Sequence, residues 1–443
     1  MRATGVNAQA VGRCNGFWDI NIITHNALCR KQAVLAIPNN NWQGRNMKIE
    51  QYDVVILGAG GAGLMCAAVA GQRGRRVLLI DHADAPGKKI LISGGGRCNF
   101  TNIHTAADRY ISANPHFAKS ALGRYSPQEF INLVDSYGIA HHEKTLGQLF
   151  CDGRAQQIVD MLMEECAKGK VDVALDAPLG EISRADGTYR VAYGTKVANA
   201  ASLVIATGGP SIPKMGATGF AYDLARQFGL KVVEPRPALV PFTLGGDDVL
   251  FRELSGVSAD VTARCINQSG GKTEFREAAL LTHKGLSGPA ILQVSSYWRH
   301  GEAVGIDFLP DQEAGWLRTM KRTSPRSTIK SVLNSALSSR LADTLSDRIG
   351  GVGNLADTPD RILEETERKL ANWEFMPNGT EGYAKAEVTA GGISTDGLSQ
   401  QTMEARKVQG LYAIGEAVDV TGWLGGYNFQ WAWASGVAAG QAV

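Results

Sequence analysis

The stretch "DVVILGAGGAGLMCAAVAGQRGRRVLLID", Asp53 to Asp81, holds the residues whose spacing most clearly implies chemistry. An apolar run over residues 54–57 enters Gly58, Gly60 and Gly63, an alanine-rich segment follows, and a second apolar run ends on Asp81. Gly58 permits a tight turn, Gly60 lets backbone approach a pyrophosphate, and Gly63 lets helix pack closely on strand. The start of the helix, from Gly61 and Ala62 onward, offers free amides and a positive dipole end to phosphate. Asp81 lies 18 residues past Gly63 (81 − 63), where an acidic side chain accepts hydrogen bonds from a ribose. Strand, turn, helix and acidic strand end agree on a dinucleotide.

Two later segments offer backbone to the same ligand. The apolar run in "SLVIATGGPSIPKMG" breaks at Thr207-Gly208-Gly209. Near the C-terminus, residues 411–414 read as a strand, followed by Gly415-Glu416 and a glycine turn (Gly422, Gly425, Gly426) into a helix. Glu416 or Asp419 suits ribityl hydroxyls, and the first amides of the last helix suit negative charge on a reduced flavin edge. A simple NAD dehydrogenase needs no such second half-site, so noncovalent FAD is the expectation.

The elements that must position these residues are spread over 443 residues, with 44% hydrophobic and 20% charged residues, as in a globular protein of two or three domains. No apolar run approaches the roughly 18–20 residues that span a bilayer. Seven cysteines (14, 29, 66, 98, 151, 166 and 265) form no CxxC pair, which points to reduced thiols in a cytoplasm and to no metal site. Arg2, Arg13, Arg30, Lys31 and Arg45 against Asp19 give residues 1–46 a charge of +4 (5 − 1), which leaves −2 (2 − 4) for the rest. Residues 1–46 are expected to be a disordered extension, with the first strand beginning at Tyr52. Ala85 to Asn102 reads as a loop too glycine-rich for helix or strand. "PQEFINLVDSYGI" and "RAQQIVDMLMEECAKG" carry helical apolar spacing. The divisions expected are a first part of the FAD domain over 47–240, a β-rich insert over 241–311, and a helical insert over 312–384. The C-terminal part of the FAD domain then occupies 385–443. The β-rich texture includes "TEFREAALLTHKGLSGPAILQVSSYW".

The blocks "GKKILISGGGRCNFTN", "HEKTLGQLFCD", "LLTHKGLSGPAILQ", "AEVTAGG" and "GLYAIGEAVDVTGWLGGYNFQWAWASG" resemble the YhiN/BaiN-type flavoproteins, the BaiN/RdsA family of NAD(P)/FAD-dependent oxidoreductases. The resemblance covers nearly everything from Met47 to Val443. It implies an α/β fold, a glutathione-reductase-like (Rossmann-type) FAD domain interrupted by a β-barrel-like piece and a helical bundle. By resemblance, Gly58, Gly60, Gly63 and Asp81 hold the ADP half of FAD. Lys89 belongs to the cofactor site, and the Ser93–Asn102 loop (Ser93, Gly94, Gly95, Arg97, Asn99) and Gly425-Gly426-Tyr427-Asn428 lie against the flavin. Members of the family reduce activated C=C bonds, including uracil in ribosomal RNA and steroid-type enones, and the blocks look most like the ribosomal-RNA dihydrouridine branch.

Such a reductase needs a hydride carrier, an electron source and an acid for the second carbon. No second strand–GxGxxG–helix unit is present, so either NAD(P)H binds transiently near the flavin or another donor serves. For the acid, Cys98 and His283 are the candidates, each set against a packing or capping role. Arg97 either orients the substrate or holds its loop. Cys151 reads as packing, and Trp423, Trp431 and Trp433 read as core, with a wall of the isoalloxazine site as the alternative for one of them. Partners expected are ribosomal RNA or a precursor fragment, otherwise a small enone, although the chain from Met47 carries no global basic signal. A flavin-bearing redox sensor without turnover is the remaining alternative.

Overall fold

The computed structural model describes residues 49–266, 270–350 and 353–443. The expectations for residues 1–46, with Cys14 and Cys29, lie outside them.

Strand β1 (Ile49–Leu57), helix α1 (Gly61–Gln72) and strand β2 (Val77–Ile80) form one βαβ unit. β1 runs parallel to β2, from Val54↔Val77 to Leu57↔Ile80, and parallel to the central strand Lys196–Ile205 along its length. Asp172–Ala174 extends the parallel sheet beyond β2, and Leu411–Ala413 joins the end of the central strand. The first half of the central strand pairs antiparallel with Thr188–Tyr193, which pairs with Leu179–Ala185. All four β2 residues are buried, which explains their continuous rather than alternating apolar character.

α1 and the terminal helix Tyr427–Ala442 explain their own composition. A Cβ on Gly436 would lie 2.6 Å from the Ala62 carbonyl oxygen, and one on Gly440 2.8 Å from that of Cys66. The two helices therefore touch backbone to backbone. Both are buried around most of their circumference, so neither shows a polar stripe.

The chain leaves this core along Val232–Ala238 and returns along Val388–Ile393, and these two strands pair antiparallel. Between them lies a seven-stranded antiparallel sheet with spatial order Trp373–Phe375, Val304–Asp307, Ser258–Ile266, Lys272–Leu281, Gly285–Ser287, Phe242–Thr243, Gly379–Thr380. Helices Trp316–Thr323, Ile329–Ala336, Ser339–Ile349 and Asp360–Ala371 pack with it. A cluster containing Phe242, Phe251, Leu345 and Phe375 is its core, separate from the cluster around β1 and α1. Trp423 packs against both clusters.

Three expectations need correction. The first strand begins at Ile49 rather than Tyr52, because Ile49 already pairs with Val197. The stretch Ala85 to Asn102 is not all loop: it contains the short helix Lys88–Ile92 and the strand Asn99–Asn102. That strand forms because a distant segment, Gln148–Cys151, pairs with it. "PAILQVS", placed in β-rich material, is a helix, Pro289–Ser295, with proline in its first turn.

Candidate functional site

A single cavity of about 610 Å³ runs between the β1–α1 turn and the opening of the terminal helix. At the first end, Gly58 has φ +107°, and a Cβ there would lie 2.5 Å from the Ala206 carbonyl oxygen. At Gly63 an added Cβ would collide with the carbonyl oxygen of Gly58. Gly60, between them, has nothing within 4 Å of a Cβ position and lines the cavity with Gly61 and Ala62. The first intrahelical bond runs from Leu64 N to Gly60 O, so the amides before it belong to an open helix end. Asp81 holds the turn: its carboxylate accepts from Ala59 N at 2.6 Å and Ala83 N at 2.8 Å.

Three chain segments meet further along the wall. Lys89 Nζ donates to Glu416 Oε2 and to Ser211 Oγ, both at 2.6 Å. The Ser211 hydroxyl donates to Glu416 Oε1 at 2.5 Å, and Thr389 N donates to the same oxygen at 2.9 Å. Burial pushes the Glu416 carboxyl upward, but Lys89, Ser211 and the Thr389 amide together outweigh it and hold the group below its ordinary range. Gly208 lies close by, 3.5 Å from Glu416 Oε2 to its Cβ position. The Thr207 hydroxyl oxygen is buried in this wall with no hydrogen-bond partner.

At the far end, Ser93, Gly94, Gly95, Asn99, Gln148, Phe150, Gly425, Gly426 and Asn428 line the cavity. Gly94 and Gly95 have φ of +56° and +67°, a left-handed pair that glycine adopts without strain. The Asn99 and Gln148 side chains pair at 3.1 Å. The Asn428 amide clamps the preceding turn, accepting from Gly422 N at 2.8 Å and donating to Gly422 O at 2.9 Å.

Sequence-chosen residues that do not line the cavity are Gly63, Arg97, Cys98, His283, Asp419 and Tyr427. Gly63 packs helix on strand. Arg97 is exposed. Cys98 is fully buried, its backbone left-handed at φ 52°, and burial pushes its thiol well above the usual range. His283 sits in an exposed two-residue hairpin tip between Thr282 and Gly285, its carbonyl oxygen taken by Arg252. Asp419 is buried and accepts from Ala113 N at 2.9 Å. The Tyr427 carbonyl accepts from the Tyr110 hydroxyl. Cys151 is buried, its thiol pushed up to about 11, and Trp433 stacks on Phe130 at 4.4 Å, both as packing residues. Trp431 is also buried, although it contributes to the cavity wall. Wall residues the sequence reading missed include Gln148, Phe150 and Glu387, and Ser211 stands behind the wall on Lys89 and Glu416, although each lies in a segment it singled out.

The residues present fit FAD. An open helix end follows a glycine that leaves room for phosphate, a buried hydroxyl lacks a partner, and a second helix opens at the other end. Among the described residues, no His, Cys, Asp or Glu cluster could hold a metal, and no helix is long and apolar enough to cross a membrane.

Fold and cavity together define a Rossmann-type dinucleotide-binding α/β protein with an inserted second core. The chain belongs to the family described as "HI0933-like protein Rossmann domain", which matches residues 52–442. It is 49% identical over 398 residues to the ribosomal RNA dihydrouridine synthase of Escherichia coli, covering 89% of this chain and 98% of that protein. It is 44% identical over 402 residues to the protein of the same name from Haemophilus influenzae, covering 89% and 99%. A 3-dehydro-bile acid delta(4,6)-reductase of Clostridium scindens is 27% identical over 407 residues, covering 88% and 98%.

Proposed function

We propose that the protein is an FAD-dependent reductase of an activated C=C bond, and that its substrate is uracil within ribosomal RNA. The observation that carries the reading is the 49% identity to a ribosomal RNA dihydrouridine synthase along almost that protein's whole length. The cavity supports it. Gly60, Gly61 and Ala62 would receive the pyrophosphate, and Asp81 the ribose beside it. Lys89, Thr207, Gly208, Gly415 and Glu416 would line the middle. Ser93, Gly94, Gly95, Asn99, Gly425, Gly426 and Asn428 would bound the ring. Bound FAD supplies a two-electron hydride carrier.

The protein's own contribution is positioning and charge. Gln430 N bonds back to Gly426 O, so the amides ahead of it form the positive end of the 16-residue terminal helix, beside the cavity. That end favours negative charge at the ring edge. The Lys89–Glu416 pair ties the two chain halves together along one wall of the cavity, so the wall that would receive the cofactor is fixed before it binds. NAD(P)H is proposed as the electron donor, without a dedicated nucleotide fold. A cytoplasmic location is proposed from the free thiols, since Cys66, Cys98, Cys151, Cys166 and Cys265 are all unpaired.

The test has two parts. The flavin released from purified protein is identified, and ribosomal RNA from cells with and without the gene is compared for dihydrouridine. Loss of one dihydrouridine in the deletion, restored by the gene, is expected. Unchanged dihydrouridine beside turnover of a small enone would move the assignment to the second substrate class.

A further inference from the structure

We propose that Glu387 is the acid that delivers the proton to the substrate carbon. The proposal rests on the reductase reading above and names a residue within its site. Glu387 stands where the chain returns from the insert, one residue before the strand Val388–Ile393. Its amide donates to the Leu239 carbonyl oxygen at 3.2 Å, which fixes the backbone against the outgoing chain. The residue lines the cavity together with Leu239, Val388, Leu424 and Gly425, at the end where the terminal helix opens.

Its surroundings suit an acid rather than a structural carboxylate. Leu239, Val388 and Leu424 belong to one small apolar cluster. Among the described residues, the Glu387 carboxyl has no hydrogen-bond or ion-pair partner, unlike Glu416 on the same wall. The residue is exposed and opens into the cavity, where desolvation by the surrounding protein pushes its carboxyl upward. Neither Lys89 nor any other charged group offsets that push. An upward shift favours the protonated carboxylic acid, the form a proton donor needs. Cys98 and His283, the acids suggested by sequence, do not reach the cavity.

The step balances. The Glu387 O–H bond breaks as a C–H bond forms at the carbon beside the substrate carbonyl. The electron pair and hydrogen for the other carbon come from the reduced flavin, the C=C π bond is lost, and water re-protonates the carboxylate.

The experiment compares the FAD-loaded wild type with Glu387→Gln, Glu387→Asp and Cys98→Ala. Glu387→Gln is expected to keep its flavin and its reduction by dithionite, while reoxidation by a uracil-containing ribosomal RNA fragment slows at least about tenfold, the low side of what general acids contribute. Glu387→Asp should recover part of the rate, and Cys98→Ala should match wild type. Independently of turnover, the infrared spectrum of the wild type at neutral pH should contain a carboxylic-acid C=O band that Glu387→Gln lacks. Wild-type reoxidation in Glu387→Gln, or no such band in the wild type, overturns the proposal. If the wild type is not reoxidised by any uracil or enone acceptor, the reductase reading fails instead, and the infrared band still decides the protonation of Glu387.

Discussion

The two glycine turns that bound the cavity look alike in sequence and differ in what their glycines face. In the β1–α1 turn, Gly58 and Gly63 close on backbone while Gly60 faces open space. In the turn before the terminal helix, both glycines face protein. A Cβ on Gly425 would lie 2.7 Å from the Gln148 side chain, and one on Gly426 would collide with the Thr101 carbonyl. The first turn thus keeps a place for a ligand inside a packed frame. The second uses its glycines to seat the terminal helix on the strand Asn99–Asn102, and the ligand meets the rim that results. The same residue type serves binding at one end and assembly at the other.

That contrast can be broken by substitution, and the expected losses of stability fall in a definite order. Gly63→Val and Gly426→Val should be the most damaging, because neither opposing backbone carbonyl can yield. A loss above about 4 kcal/mol is expected, seen as insoluble protein or a collapsed urea midpoint. Soluble, normally stable Gly426→Val protein would show that the second turn is a ligand seat like the first.

Lys89→Met should come next, at about 3 kcal/mol, because it leaves Glu416 charged and unpaired in the wall. The Glu416 carboxyl is depressed in the folded state, so its stabilisation is present above the ordinary carboxylate value of about 4.3 and fades as pH falls through the lower folded value. The urea-midpoint gap between wild type and Lys89→Met should therefore be widest near neutrality and shrink below about pH 4. A gap that stays constant on acidification would mean the pair contributes packing and no charge interaction.

Gly60→Val should be the mildest for stability, within about 1 kcal/mol, since Gly60 has an ordinary φ of −81° and no neighbour to strike. It should nevertheless purify without flavin. Full flavin occupancy in this variant would remove the basis for placing the pyrophosphate there.

The β1–α1–β2 unit was legible in the sequence because its signals are local: an apolar run, spaced glycines, small helical residues and an acidic strand end. The strand Leu411–Ala413 and the terminal helix were legible for the same reason. The strand Asn99–Asn102 was not, since its pairing partner lies about fifty residues away and no local pattern announces it. Cys98 was misplaced for a related reason. Membership of a glycine loop places a residue near a site, but which side of the loop it faces depends on the strand behind it. Ser211 and Glu387 carry no periodic signal at all. Each acquires its place only when the outgoing and returning chains are laid side by side, through Leu239 for Glu387 and through Lys89 and Glu416 for Ser211.

The discontinuity of the nucleotide core sets an order of assembly during synthesis. Every strand and helix of the insert lies between residues 242 and 380, so it can fold as soon as that length has left the ribosome. The core must wait for Leu411–Ala413 to complete the sheet and for the terminal helix to cover α1. Until then α1 presents an apolar, small-residue face with nothing against it. A chain stopped near residue 400 should therefore contain a protease-resistant insert beside a digestible N-terminal segment; equal resistance of both would refute this order. The last helix closes a core that is begun first and finished last, and the newborn chain is most open to chaperones in that interval.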